Sequence, residues 1–313
     1  MRRLVMLAFL LCGAANAQQP NALAGYGLEL IDHTSALIGP DAPDPAMRFG
    51  GNRLECTSCH INGGTDPYAL PYNGIARLYP QFSARVGAVQ DLADRVNDCM
   101  RRSMNGSALP RDSLEMRAIL AYLSSLGSKP VVGRGAPQLP LPTRAVDPRR
   151  GATIYARVCA ACHRPDGRGV ELQLEDRLAQ QRHYLYPPLW GSDSFNDAAG
   201  MARIVTGAWF VHANMPKGVT YQYPLLSADE AYDVMAFVDT QPRPRKADLA
   251  KDYPDVWLKP IGTLFPPWPG NFTSEQNRFG PWGPILAWRR DHAPPSNEPT
   301  AANDLEQSIS PSP

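Results

Sequence analysis

The chain has 313 residues, and its 31 lysines and arginines against 30 aspartates and glutamates leave a net charge of +1. That balance supplies no chain-wide attraction to nucleic acid or to a membrane surface, and no stretch is apolar for long enough to span a bilayer. The 32 prolines and 25 glycines favour small, loop-rich domains over one large regular core.

Residues 1–17 read as a secretory signal. Arg2 and Arg3 give the charged start, Leu4 to Leu11 the apolar run, and Ala15-Asn16-Ala17 the cleavage site, so the mature protein is expected to begin after Ala17. Leu10-Leu11 replace the small residues that a lipoprotein site at Cys12 needs. Residues 18–22 form a loose start, and 23–38 an amphipathic helix that stops at Gly39-Pro40. A loop rich in proline and aspartate leads to Cys56-Thr57-Ser58-Cys59-His60. A second helix over 89–103 holds Cys99. Asp112 with Glu115 predicts a capping box for a helix over 113–126 that ends at Gly127. Residues 18–127 thus form one domain, and 128–147, without helical period, the linker.

The order then repeats over a second domain, 148–240. Asp147-Pro148 starts a helix that runs into Cys159-Ala160-Ala161-Cys162-His163. A long loop region reaches residue 226. Ser227 and Glu230 then cap a closing helix over 228–239. Gly151 and Tyr155 share a face of the opening helix and are expected to meet Tyr232 and Phe237. Residues 241–290 form an extension wrapping both domains, and 291–313 a disordered tail.

Two C-x-x-C-H strings behind a signal sequence point to haem. Two thiols on one helical turn add to the two vinyl groups of the porphyrin, and the histidine that follows points its imidazole at the iron. A zinc or redox C-x-x-C is the competing reading, and two complete copies in an exported chain disfavour it. Cys56, Cys59, Cys159 and Cys162 are therefore the expected attachment points of two haem c groups, with His60 and His163 as proximal iron ligands. The fold expected is mainly α: two tandem cytochrome c domains, each wrapped around one covalently bound haem, with long loops and an irregular C-terminal extension.

The distal ligands separate the two halves. In the second, Met215-Pro216 stands in a loop downstream of His163, and methionine opposite histidine raises the haem potential and suits electron transfer. Met215 as core filler is the bland alternative; Met201 and His212 are rival ligands, and Met235 reads as core. The first half has no Met-Pro, only Met100, Met104 and Cys99. Cys99 is the odd cysteine. It reads as an axial thiolate, an inert buried thiol or a partner in an intermolecular disulfide.

The string from Asp94 to Gly106, with Cys56 to Tyr68, Asn214-Met215-Pro216 and Thr273 to Ile285, resembles the tetrathionate-forming thiosulfate dehydrogenases, a family of periplasmic dihaem cytochromes c. The resemblance implies that His60 and Cys99 ligate an active-site haem, and that His163 and Met215 ligate an electron-transfer haem. It matches Arg85, Arg95 and Ser103 to the substrate pocket. Some members carry lysine directly before the methionine; here Asn214 stands there and Lys217 is displaced, so lysine ligation is not expected. The implied reaction joins two thiosulfates through their outer sulfurs, yields tetrathionate, and passes two electrons to a small c-type cytochrome or similar periplasmic acceptor. The reverse reaction, as a tetrathionate reductase, is the same chemistry run backward. Arg85 and Arg95 would offset the repulsion of two dianions, and Cys99 would form a covalent sulfur adduct with one of them. Competing readings are a dihaem electron carrier without a substrate site, a sulfur-oxidising cytochrome that acts on a carrier protein's cysteine, and a dihaem peroxidase.

Overall fold

Two pairs of crossing helices organise the chain, which the computed structural model describes over residues 15–127 and 139–294. In the first half, Ala15–Asp32 lies across Leu114–Ser125. In the second, Pro148–Val158 lies across Ala228–Asp239. A glycine permits each close approach. A Cβ on Gly27 would stand 2.1 Å from Ala118 O, and one on Gly151 would stand 1.9 Å from Asp233 O. Tyr155 meets Phe237 as expected, with ring centroids 5.4 Å apart. Tyr232 turns away to the C-terminal extension, 6.1 Å from Trp282.

Capping chemistry sets the helix starts. Asp147 accepts from the amides of Arg149 and Arg150, with Pro148 as the first helical residue. Ser227 and Glu230 form the reciprocal box of the second closing helix. In the first closing helix the cap is Ser113, which accepts from Met116 N, so the expected Asp112 lies one residue outside.

Other expectations are corrected. The helix expected over 23–38 already runs through 18–22, and it breaks at His33 before a short turn, Thr34–Ile38. Thr34 Oγ1 bonds back to Leu30 O and Ile31 O at 2.8 and 3.1 Å, a local competitor to the helical ladder. The Cys99 helix is Leu92–Arg102; residues 88–90 pair instead with 81–83 as an antiparallel ribbon, Phe82 opposite Val89. The long loop before residue 226 contains the helix Ile204–Asn214, buried on several sides. The C-terminal extension holds two helices, Ser274–Phe279 and Gly283–His292, so it is not wholly irregular and runs past residue 290.

Residues of that extension touch each half. Tyr253 N donates to Arg85 O at 2.8 Å in the first half, while fully buried Trp282 sits in the core of the second. Between them Lys259 is buried, its ammonium donating to Phe265 O at 2.6 Å and Pro267 O at 3.0 Å, 4.0 Å from the Phe265 ring. The described part of the linker is packed as well: Val146 N donates to Phe279 O, and Arg144 forks onto Asp233. Residues 1–14 of the expected signal sequence, the rest of the linker (128–138) and most of the tail (295–313) lie outside the described residues. Among the described residues no helix is long and apolar enough to cross a membrane.

Candidate functional site

Cys56, Cys59, His60, Cys99 and Ser103 border a single cavity. The first three come from the turn after residue 55; the others come from the C-terminal end of the Cys99 helix. Thr34, released by the helix break, holds the motif by accepting from Cys56 N at 3.1 Å and standing 3.2 Å from Cys56 Sγ. Burial pushes both Cys56 and Cys59 thiols up to about 12. Neither is therefore a ready thiolate, and among the described residues no three His, Cys, Asp or Glu side chains are arranged to hold a metal ion.

His60 is fixed in one tautomer. Its Nδ1 lies 2.5 Å from Leu70 O, an arrangement that requires Nδ1–H and leaves the Nε2 lone pair free. Tyr72 stacks on the ring at 4.1 Å. Burial, opposed in part by the Leu70 bond, lowers the imidazole to about 4, so at neutral pH it is in the uncharged form that binds iron. His163 repeats the device with Nδ1 2.9 Å from Pro187 O, and burial lowers it too. The donor sets fit haem c at both places: two thiols in C-x-x-C register and a neutral histidine with Nε2 free. At the first, the buried Oε1 of Glu55, without a hydrogen-bond partner, borders the same cavity and leaves polar demand for an incoming group.

On Cys99, one turn along its helix, Arg95 Nη1 donates to Sγ at 3.0 Å. Burial disfavours the Arg95 charge, but the interaction with Cys99 is larger and the guanidinium ends above its ordinary value. Arg85 reaches the second half, where Nη1 donates to Ala198 O and the guanidinium lies 5.3 Å from the Tyr253 ring centroid. Ser103 ends the Cys99 helix, its amide bonded to Cys99 O and its carbonyl to Asn52 Nδ2 at 2.9 Å. Of the rival ligands in the first half, Met104 borders the cavity and Met100 is buried in the core.

Met215 ends the helix Ile204–Asn214. Asn214 Nδ2 donates to Tyr68 O in the first half and to Phe210 O, both at 2.9 Å, which ties the methionine segment to the loop after the first motif. Lys217 is exposed. Met235 is buried against Gly207, as core. Met201 borders the first cavity together with Phe195 and Ala199. This contribution of the second half to the first cavity is the part that sequence reasoning missed, and nothing in the residues around 195–201 announces it. The Arg95–Cys99 pairing had a usable signal, the i, i+4 spacing on one helix.

Two family models match the chain. Residues 47–131 match the SoxA/TsdA cytochrome c domain family, and residues 148–242 match the cytochrome c family. The chain is similar to the thiosulfate dehydrogenase of Psychrobacter arcticus, 37% identical over 234 residues that cover 73% of this chain and 66% of that protein. It is similar also to the thiosulfate dehydrogenase of Allochromatium vinosum, 40% identical over 65% of this chain and 75% of that protein. Among solved structures it resembles the thiosulfate dehydrogenase TsdBA from Marichromatium purpuratum in its as-isolated form, with a TM-score of 0.63 and 30% identity. That match covers 73% of this chain, which spans about half, 48%, of the solved one.

Proposed function

This chain belongs to the thiosulfate dehydrogenase family and has two cytochrome c domains with two haem c groups, and from that premise we propose that it oxidises two thiosulfates to tetrathionate in the periplasm and hands two electrons to a small c-type cytochrome. Cys56 and Cys59 would attach one haem, and His60 and Cys99 would hold its iron. Cys159 and Cys162 would attach the other, and His163 and Met215 would hold its iron. Bound haem supplies one-electron acceptance at each place, so the pair holds the two electrons of one turnover. The observation that carries this reading is the convergence of His60, Cys99 and both attachment cysteines on one cavity, with Arg95 on the Cys99 sulfur.

The protein's own task is to bring two dianions together. At ~6 Å and an effective dielectric of ~20 their repulsion is on the order of 10 kcal/mol. Arg95 and Arg85 oppose it with forked hydrogen bonds to sulfonate oxygens. Ser103, at the cavity wall, positions the first anion. Cys99 thiolate then joins the outer sulfur of that thiosulfate with loss of two electrons, and the outer sulfur of the second thiosulfate attacks the adduct at this same sulfur. Tetrathionate leaves and the Cys99 thiolate is restored, so atoms and charge balance.

The test is thiosulfate-dependent reduction of the purified holoprotein, followed by a ferricyanide assay beside Cys99→Ala. Thiosulfate is expected to reduce haem in the wild type, and the variant to keep both haems and lose turnover. Full activity of Cys99→Ala would remove the cysteine from the chemistry. No reduction of either haem in the wild type would leave a dihaem carrier, and activity only with a carrier protein's cysteine would favour the sulfur-oxidising cytochrome.

A further inference from the structure

Arg203 is a third arginine beside the Cys99 site, and it comes from the other half of the chain. It precedes the helix Ile204–Asn214 and follows the turn Gly200–Ala202. Its backbone bridges to Thr263 of the C-terminal extension, and Ile204 N donates to Gly262 O at 3.3 Å, so its position is held from two sides. Its Nε lies 3.5 Å from Gly200 O, while Arg85 Nη1 donates to Ala198 O. Those two carbonyls are two residues apart, so both guanidinium groups are fastened to one short loop. The residue between the carbonyls, Ala199, borders the cavity that holds Cys99. Arg95 is already on Cys99 Sγ at 3.0 Å.

The charge of Arg95 is met by the Cys99 sulfur rather than by a carboxylate. Among the described residues none of the three forms an ion pair with a carboxylate, whereas Arg53, Arg102 and Arg144 all do. Arg203 is held below its ordinary value, first by burial and then, with Tyr253 opposing, by the neighbouring charges of Arg85 and Arg95. Like charges gathered in a partly desolvated space are costly, and an anion relieves that cost. A single dianion on Cys99 needs only Arg95 and a neighbour. The second sulfonate, at the far end of the four-sulfur chain being made, needs its own donors.

We propose that Arg203, with Arg85, binds the sulfonate of the second thiosulfate, and so the distal sulfonate of tetrathionate, making the second half of the chain a part of the substrate site. This rests on the thiosulfate reading above. The chemistry recognised is a dianion with two sulfonates separated by two sulfurs, which a single tetrahedral dianion such as sulfate does not fill.

The test uses oxidised holoprotein carrying Arg203→Gln or Arg203→Lys. Loss of a charge-assisted hydrogen bond to the substrate should weaken calorimetric tetrathionate binding and raise the thiosulfate KM by roughly ten- to a hundredfold in Arg203→Gln. Arg203→Lys should recover most of the loss, with sulfate affinity, haem absorbance and thermal midpoint unchanged in both. Unchanged tetrathionate affinity in Arg203→Gln overturns the proposal. So does a shift of haem absorbance or potential without a change in tetrathionate affinity, which would pair Arg203 with a haem carboxylate, and so does loss of folding in both variants, which would make the residue structural. A wild type that neither oxidises thiosulfate nor binds tetrathionate overturns the functional reading and this inference with it. A fully active wild type matched by Arg203→Gln removes the inference alone.

Discussion

Placing a methyl group at either helix crossing should unsettle one half of the molecule, and the contest of terms can be worked through. At Gly27 a Cβ would stand 2.1 Å from Ala118 O, 2.6 Å from Ala118 C and 2.7 Å from Tyr122 Cβ. At Gly151 it would stand 1.9 Å from Asp233 O and 3.0 Å from Phe237 Cβ. A carbon–oxygen contact tolerates about 3.3 Å, so each pair of helices has to part by about 1 Å. The atoms in the way are backbone and cannot rotate aside. A gap of that size forfeits about a quarter to a half of each contact across the crossing, and overpacking of this kind costs about 1–3 kcal/mol or more. Opposing it, alanine in a helix interior is favoured over glycine by about 1 kcal/mol. The clash wins, with a net loss of about 1 kcal/mol and a midpoint lower by roughly 4–8 °C for one half of the molecule. Gly25 is the control: it lies on the same helix with nothing within 4 Å of its Cβ position, so Gly25→Ala receives only the propensity gain. Thermal melting followed by far-ultraviolet dichroism and haem absorbance reads both. A midpoint for Gly27→Ala or Gly151→Ala equal to or above that of Gly25→Ala would refute the reasoning.

Three other outcomes follow from the same physics. Arg102 is buried, forks onto Asp252 at 2.9 and 3.1 Å and reaches Asp98 at 2.5 Å, so Arg102→Met leaves Asp252 to Lys246 Nζ at 3.3 Å and Asp98 to Gln90 Nε2 at 3.1 Å; the loss should be about 3 kcal/mol by urea titration. Burial raises Asp41, but hydrogen bonds from His183, Ser35 and Arg53 outweigh it and hold the carboxyl well below its ordinary 3.8. Its folded value is depressed, so its stabilisation is full above 3.8 and is lost as pH falls below that; Asp41→Asn should flatten the fall in stability between about pH 4 and about pH 2, and an identical acid profile would count against the network. Met215→Ala should keep both haems attached and lower one of the two reduction potentials in a spectroelectrochemical titration, because methionine ligation raises it; two unchanged potentials would dismiss Met215 as a ligand.

Local signals were legible in the sequence because the partners lie within one helical turn. Ser227 with Glu230 and Asp147 with Pro148 need only a side chain and an amide two or three positions away, and both caps form where the residues predict. The Gly151–Tyr155 face was legible for a similar reason: i, i+4 residues share a helix face, and Phe237 meets it. The break at His33 was not, because it depends on Thr34 serving Cys56, 22 residues on. Nor were the helices of the extension, whose Trp282 takes its meaning from Tyr232 in another element.

The cavity around Cys99 extends this contrast to function. The residues proposed for its chemistry, Cys56, Cys59, His60 and Cys99, could be named from motif and arithmetic alone. Its walls could not, since Phe195, Ala199 and Met201 arrive from the second half, and Phe195 and Ala199 join the first half's apolar core. Asn196 fastens that segment by donating to Arg101 O at 2.9 Å and Asn105 Oδ1 at 3.1 Å, either side of the end of the Cys99 helix. Its neighbours Ser194 and Asp193 accept from Asn52 Nδ2 and Arg53 N, both at 3.1 Å, just before the first motif. The helix Ile204–Asn214 then carries the chain from this wall to Met215 over about 16 Å. One rigid element thus spans the distance between the place proposed for sulfur chemistry and the place proposed for electron exit, and a change in how the second half seats on the Cys99 helix should reach both. The two cytochrome c domains, equivalent as motifs, are in this sense one site with two ends.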